Sequence, residues 1–445
     1  MIQTWRKTSS ELIYSPNVIK DIHMKTIDGY DVKIFTDNIE DTAIEQIRQL
    51  LSIDVFSDCK IRIMPDVHAG AGCVIGFTGN LGDKVIPNIV GVDIGCGMLV
   101  QPFICNNPID FHALNEYILR AIPSGRDFRD ENYLPLSQKY SDIYQNAKQL
   151  ILQLRCYREL KEVRRLYKSI GSLGGGNHFI ELDKDESGLY YLVVHTGSRN
   201  LGKQVADIYQ KLAIKCQSGW DKLIEEKNRI IAEYKLAGRK NELQDVIRNL
   251  HNSFKTCKLT IPQDLCYLQG HFREDYLHDM HICQCWAQIN RKLIVNLIMD
   301  FIVGKGVVSS EEHFRPFESV HNYIGNDNII RKGAISARLG EKCIIPLNMR
   351  DGSLICIGKG NEDWNFSAPH GAGRIMSSSQ AFKEISLEDF KKSMEDVYSE
   401  TVSEYTKDES PMVYKSKHEI MDNINDTVDI ENVIKPVFNF KAADI

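Results

Sequence analysis

The sequence predicts an α+β fold, and three observations carry that prediction. Short runs rich in Val and Ile, bounded by Gly, Asn or Asp, recur along the chain as strands do. Long stretches with helical apolar spacing interrupt these runs instead of alternating with them one for one. The 445 residues exceed the usual size of one domain, so one large or two fused domains with a sizeable central core are expected.

In chain order, "DVKIF", "KIRIMPD" and "GCVIGF" read as strands within the first hundred residues, and "DNIEDTAIEQIRQLLS" as an amphipathic helix among them. Helical patterns cover 137–168, 202–250, 277–302 and 378–400, and further strands are expected at "YYLVVHTG" (190–197), "KCIIPL" (342–347) and "SLICIG" (353–358). Residues 216–258 differ in character: two charged helices joined by "LAGRKN" predict a solvated helical hairpin projecting from the body. There is no internal repeat and no low-complexity linker.

A net charge of −6 gives no general attraction to polyanions, so nucleic-acid binding has to use a local basic patch. "KEVRRLYK" (161–168) is one candidate, although it also reads as a solvated helix face. No apolar run approaches the ~20 residues that cross a bilayer. The N-terminal "MIQTWRKTSSELIYSPNVIK" lacks the apolar core of a signal peptide. Twelve cysteines without paired spacing, most flanked by apolar residues, point to reduced thiols and a cytoplasmic protein.

The chemistry concentrates in five segments: "GVDIGCGM" (91–98), "SLGGGNHFIEL" (172–182), "VVHTGSRNLG" (193–202), "ESVHNYIG" (318–325) and "SAPHGAGR" (367–374). Glycine at this density lets backbone approach a ligand closely and adopt positive φ. Exposed N–H groups there can also cradle an anion. Asp93, Cys96, His178, His195 and His321 supply one carboxylate, one thiol and three imidazoles, a set suited to a borderline-soft divalent metal. Five ligands are more than one tetrahedral ion needs, and a thiolate can bridge two, which suits phosphoryl or nucleotidyl transfer. Singly, each of these residues also reads as structural. His370, with Arg374 four residues on, reads either as a nucleophile beside a phosphate clamp or as a buried histidine bonded to backbone. His68, in "MPDVHAGAG", is a candidate pocket residue, whereas His271, His278 and His281 read as ordinary helix residues.

In order, "MPDVHAGAG", "GVDIGCGM", "GGGNHFIE", "VHTGSR", "HNY", "GKGN…APHGAGR" and a lysine near the C-terminus resemble the RtcB family of RNA-splicing ligases, from about Ile61 onward. The resemblance implies an α+β fold around a central β-sandwich core with a deep active-site cleft, as a single catalytic domain over 1–445 with 216–258 inserted. It implies a ligase dependent on GTP and two Mn²⁺ ions, joining RNA 3′-phosphate or 2′,3′-cyclic phosphate ends to 5′-hydroxyl ends. Such ligases act in RNA repair or tRNA splicing, through a histidine–GMP intermediate. By motif, His370 matches the guanylylated histidine, and Asp93, Cys96, His178, His195 and His321 match the metal ligands. Cys96 would bridge, with His195 and His321 on one ion and Asp93 and His178 on the other. Asn177 matches a contact to the nucleotide phosphates, Arg199 and Arg374 match arginines required for activity, and Glu181 and Lys441 match guanine contacts.

Three departures from the family pattern stand out. "PLNMRDG" (346–352) replaces "PGSMG", putting Asn348 where a nucleotide-holding serine is usual. Ser378 stands where an arginine is usual, with Arg350 a candidate replacement cation, and "AADI" follows Lys441. These changes suggest a divergent branch; some such branches are encoded beside a release-factor-like protein, which makes that a candidate partner. A monomer is the default. The competing readings are a dinuclear-metal phosphoesterase acting on RNA ends and a catalytically weak RNA-binding relative.

Overall fold

A sheet of seven antiparallel strands carries most of the chemistry-bearing segments. Its order is Phe317–Val320, Gly97–Phe103, Tyr190–Thr196, Phe179–Lys184, Val428–Lys441, Gly352–Gly358 and Lys342–Asn348. The computed structural model describes residues 25–27, 29–134, 136–254, 258–308 and 314–442. The N-terminal segment read for a leader and the final residues after Ala442 lie outside them. A second, six-stranded sheet runs Lys25–Thr26, Val32–Ile34, Ile61–His68, Ile75–Gly79, Ile330–Lys332 and Tyr323–Ile324. Its one parallel pairing joins Val32–Ile34 to Ile61–His68.

Both faces of the seven-stranded sheet are buried. One carries Ile180, Leu182, Leu192, Val194, Phe438 and Phe440, packed on Ile294, Val295 and Ile298 of the long helix Gly270–Gly304. Each such side chain, fully removed from water, contributes roughly 1.5–3 kcal/mol. Alternation then places Phe179, Glu181, Asp183, His195, Asn439 and Lys441 on the opposite face. The hydrophobic pattern of that sheet therefore aims the site residues.

The strand Val428–Lys441 was not among the expected strands, because Asp429, Glu431, Asn432, Lys435 and Pro436 break any apolar run. Its first half pairs with Gly352–Gly358 and its second with Phe179–Lys184, with a register shift between Pro436 and Phe438. Proline cannot donate to a ladder, and a bulge is where a sheet tolerates one. This pairing sets Lys441 opposite Phe179 and Asn439 opposite Glu181.

The expected strands and the amphipathic helix Asp41–Leu51 are present. Two helical stretches are more broken than their spacing suggests. Residues 378–400 form Ser378–Glu384 and Leu387–Ser393, because the Ser386 side chain accepts from Asp389 N and starts a new helix. Residues 137–168 divide into Ser141–Leu152 and Val163–Lys168.

The charged hairpin consists of Trp220–Leu236 and Leu243–Ser253, packed on each other. It starts after Gly219, since Cys216 lies buried in the last turn of the helix Arg199–Gln217, whose apolar face belongs to the body. Leu223 is the one fully buried residue of these two hairpin helices. Among the described residues, no helix is long and apolar enough to cross a membrane, and every described cysteine is a free thiol.

Candidate active site and metal centre

Four segments meet at Cys96. Its Sγ lies 3.3 Å from Nε2 of His178 and 3.3 Å from Nε2 of His195. His178 Nε2 is 3.1 Å from Asp93 Oδ2, and His195 Nε2 is 3.1 Å from His321 Nε2. Strand ends place these groups: His195 closes Tyr190–Thr196, His321 follows Phe317–Val320, and its N–H donates to Cys96 O at 2.7 Å. Ligand atoms of Cys96, His195 and His321 all lie within 4.8 Å of one another, as do those of Asp93, Cys96 and His178. Cys96 is common to both groups.

The glycines around Asp93 and Cys96 serve packing more than approach to a ligand. Gly95, at φ +70°, leaves no room for a side chain, since a Cβ there would lie 2.8 Å from Gln284 Cα of the long helix. A Cβ on Gly197 would lie 2.2 Å from Asp93 Oδ1. Two non-glycine residues beside the ligand set, Arg199 and Asn322, have left-handed φ of 57° and 60°. Such strain persists where the surroundings over-determine a site.

This donor set fits a cation. Burial pushes His321 down to about 3 and His195 well below its ordinary value, so both imidazoles are in the neutral, ligating form. His195 Nδ1 faces Asn177 O at 3.0 Å, the arrangement in which a backbone carbonyl fixes the ring of a metal-binding histidine. Burial, then the charge of Asp93, pushes the Cys96 thiol well up, and a bound cation is what brings such a thiol to thiolate. Burial works against ionising Asp93, yet the contact with His178 holds it below the usual carboxylate range. Nitrogen, sulfur and oxygen ligand atoms converging this closely away from water form a set of groups that a bound cation would satisfy.

His370 adjoins this cluster, its ring centroid 4.7 Å from that of His321. Asp66, fully buried on Ile61–His68, accepts from His370 Nδ1 at 2.7 Å and from the His370 backbone N–H at 3.1 Å. In the neutral ring that contact puts the proton on Nδ1 and the lone pair on Nε2.

A cavity of about 330 Å³ opens beside His370. Asn177, Glu181, Asn348, Arg374 and Lys441 line it, as does His68. At its far end the buried Glu409 holds three partners: Arg374 Nη1 at 3.2 Å, Tyr414 Oη at 2.5 Å, and Lys441 Nζ. Lys441 and Arg374 hold Glu409 below the usual carboxylate range even though burial opposes ionisation. Arg374 Nη2 also donates to Asp408 O at 2.7 Å, so its fork is engaged by the protein. Glu181 Oε2 accepts from Asn439 Nδ2 at 2.7 Å, and Lys441 Nζ lies 5.8 Å from the centre of the Phe179 ring.

Arg199 lies apart from this cavity. It lines a second one, of about 630 Å³, on the Asp93 and His178 side, with Arg126, Arg165 and Lys203. Its Nη1 is 3.4 Å from His178 Nδ1. Arg165 of the "KEVRRLYK" segment sits over the Phe128 ring at 4.9 Å.

A sequence profile described as tRNA-splicing ligase RtcB matches residues 46–442. The chain belongs to the RtcB family. It is similar to the RNA-splicing ligase RtcB of Escherichia coli K12, 29% identical over 407 residues, covering 86% of this chain and 90% of that protein. It is also similar to the tRNA-splicing ligase RtcB of Methanococcus maripaludis, 24% identical over 459 residues, covering 86% and 87%. The RNA-splicing ligase RtcB2 of Escherichia coli ATCC 25922 is 26% identical over 357 residues, covering 76% and 73%.

In this RtcB-family chain the departures from the family pattern have clear placements. Asn348 lines the cavity, but its Oδ1 accepts from the N–H groups of Arg350 and Asp351 at 3.0 and 2.9 Å, and its Nδ2 donates to Asp351 at 2.8 Å. Arg350 pairs with Asp351 at 3.0 Å and faces a different depression, with Lys415 and Lys417. The Ser378 hydroxyl donates to Asp408. His271, His278 and His281 lie on the helix Gly270–Gly304.

Sequence reasoning missed Asp66, Asp183, Glu409, Tyr414 and Asn439. Asp66 had a signal, two residues before His68 in a segment already singled out. Glu409 had none, since "KDES" reads as solvated surface.

Proposed function

We propose that this chain is an RNA ligase that consumes GTP and joins RNA 3′-phosphate or 2′,3′-cyclic phosphate ends to 5′-hydroxyl ends, in RNA repair or tRNA splicing. The observation that carries the reading is His370, held by buried Asp66 at the junction of the Cys96 cluster and the cavity. In this reading His195 and His321 would hold one Mn²⁺ and Asp93 and His178 a second, with Cys96 within reach of both groups. The two ions supply charge neutralisation for a triphosphate. Asn177 contacts its phosphates, Glu181 and Lys441 meet guanine, and Arg374, Asn348 and Arg199 complete the site.

His370 Nε2 attacks the α-phosphorus; an N–P bond forms as the P–O bond to pyrophosphate breaks. Asp66 keeps the ring aligned and stabilises the positive charge it gains. The RNA 3′-phosphate oxygen next displaces His370 from phosphorus, and the 5′-hydroxyl then displaces GMP to seal the strand. The second cavity, with Arg126, Arg165, Arg199 and Lys203, offers the local basic patch a chain of net charge −6 needs for an RNA end. The same reading takes the two large sheets as the central β-sandwich and the 216–258 segment as an insertion into one catalytic domain. It also takes the free thiols as suited to a reducing cytoplasm.

Incubation with Mn²⁺ and GTP labelled at the α-phosphorus, beside His370→Ala, tests the reading on a denaturing gel. Acid-labile label on the wild type and none on the variant is the expected result. A wild-type chain that binds manganese and takes no label would refute it.

A further inference from the structure

Asp183 lies two residues along the strand from Glu181, on the same face and fully buried. Among the described residues, neither of its carboxyl oxygens meets an N–H or O–H donor. A buried carboxylate without donors is very costly, so Asp183 is the protonated acid of the pair. Burial, then the neighbouring Glu181, drives its carboxyl well above the usual range in accord with this. A protonated carboxyl has one donor, and the acceptor within its reach is the Glu181 side chain. Glu181 differs from Asp183 in having other support: Asn439 Nδ2 donates to its Oε2 at 2.7 Å, and the positive charge of Lys441 is nearby. The pair therefore keeps its shared proton on Asp183.

We infer that Asp183 is a positioning residue for nucleobase choice. It donates its O–H to Glu181 from two residues along the same face, leaving Glu181 an oriented, acceptor-only carboxylate facing the cavity. This rests on the proposal that Glu181 meets guanine, and deepens it. An acceptor-only carboxylate matches the N1–H and N2–H donors of guanine. Adenine presents a bare N1 there and would need the proton on Glu181 instead. The strand hides Asp183 from any ligand, so its influence runs only through Glu181.

Equilibrium binding of GTP and ATP, measured with Mn²⁺ in a His370→Ala background, tests this without depending on catalysis. Asp183→Asn, which keeps a donor beside Glu181, should hold both affinities within about threefold. Asp183→Leu should weaken GTP binding about tenfold or more and leave ATP binding nearly unchanged. Asp183→Val serves as the smaller replacement should Leu not be accommodated. A folded Leu or Val variant with the parent's GTP-to-ATP ratio would overturn the inference. So would a parent that binds ATP as tightly as GTP. Failure of the ligase reading shows separately, as absence of label on the His370-containing chain.

Discussion

The two groups of residues that flank His370, the Cys96 cluster and the network around Glu409, balance their charges differently. At the Cys96 end, a thiol, three imidazoles and a carboxylate face inward, His321 and His195 being held neutral by burial, and Arg199 touches the set through His178 Nδ1. At the other end Glu409 already pairs with Arg374 and Lys441, and Tyr414 completes its hydrogen bonds. One end is a receptacle whose electrostatics need a bound ion. The other is a finished ion-pair network that holds its side chains in place before any ligand arrives. Substitutions at the first should therefore act on binding and chemistry, and at the second on stability as well.

Cys96→Ala gives the largest expected effect, since it strikes both ligand groups at once. Manganese binding measured by calorimetry should weaken at least about 100-fold, and GTP-derived label should vanish, while the metal-free chain melts no earlier than wild type. A marked fall in its melting temperature would break the contrast between the two ends. Asp66→Asn removes the charge behind His370 and should slow labelling by about 100-fold or more with manganese affinity unchanged.

Glu409→Gln should behave in the opposite way. It leaves Lys441 and Arg374 buried without their counter-charge, so denaturant unfolding should show a loss on the order of 3 kcal/mol. The label on His370 should persist at saturating GTP, with a higher KM. Glu181 sharpens the comparison through pH. Burial raises its folded pKa from 4.5 to about 7, so Glu181 becomes the acceptor-only carboxylate as pH rises through 7, and the stability its protonated form contributes, complete below pH 4.5, is lost over the same rise. Glu181→Gln should flatten that decline by at most about 3 kcal/mol, measured as unfolding midpoints between pH 4.5 and 7.5. Arg350→Ala should change labelling by less than about twofold, because Arg350 pairs with Asp351 away from the cavity.

Much of the site is legible in the chain itself, because its residues lie in short Gly-, Asn- or His-marked segments that keep a recognisable order. Cys96, His178, His195 and His321 do converge, and the strands that aim them show as Val- and Ile-rich runs. The long strand Val428–Lys441 was not legible, since Pro436 and its charges mask it, yet its register alone brings Lys441 and Asn439 beside Glu181. Glu409 was illegible for a related reason: an acid in a charged stretch looks solvated until folding buries it between two cations.

By itself, then, the sequence determined the α+β class, the family and the inventory of reactive groups, all of which depend on residue type and local spacing. The tertiary structure decided which of those groups face one another. It set Arg199 and Arg374 in different cavities, turned Arg350 away from the cavity beside His370, and placed Asp183 next to Glu181 in a buried position. Electrostatic partners are set by distances across the sheet and by exclusion of water. Neither is encoded in the neighbours of a residue along the chain.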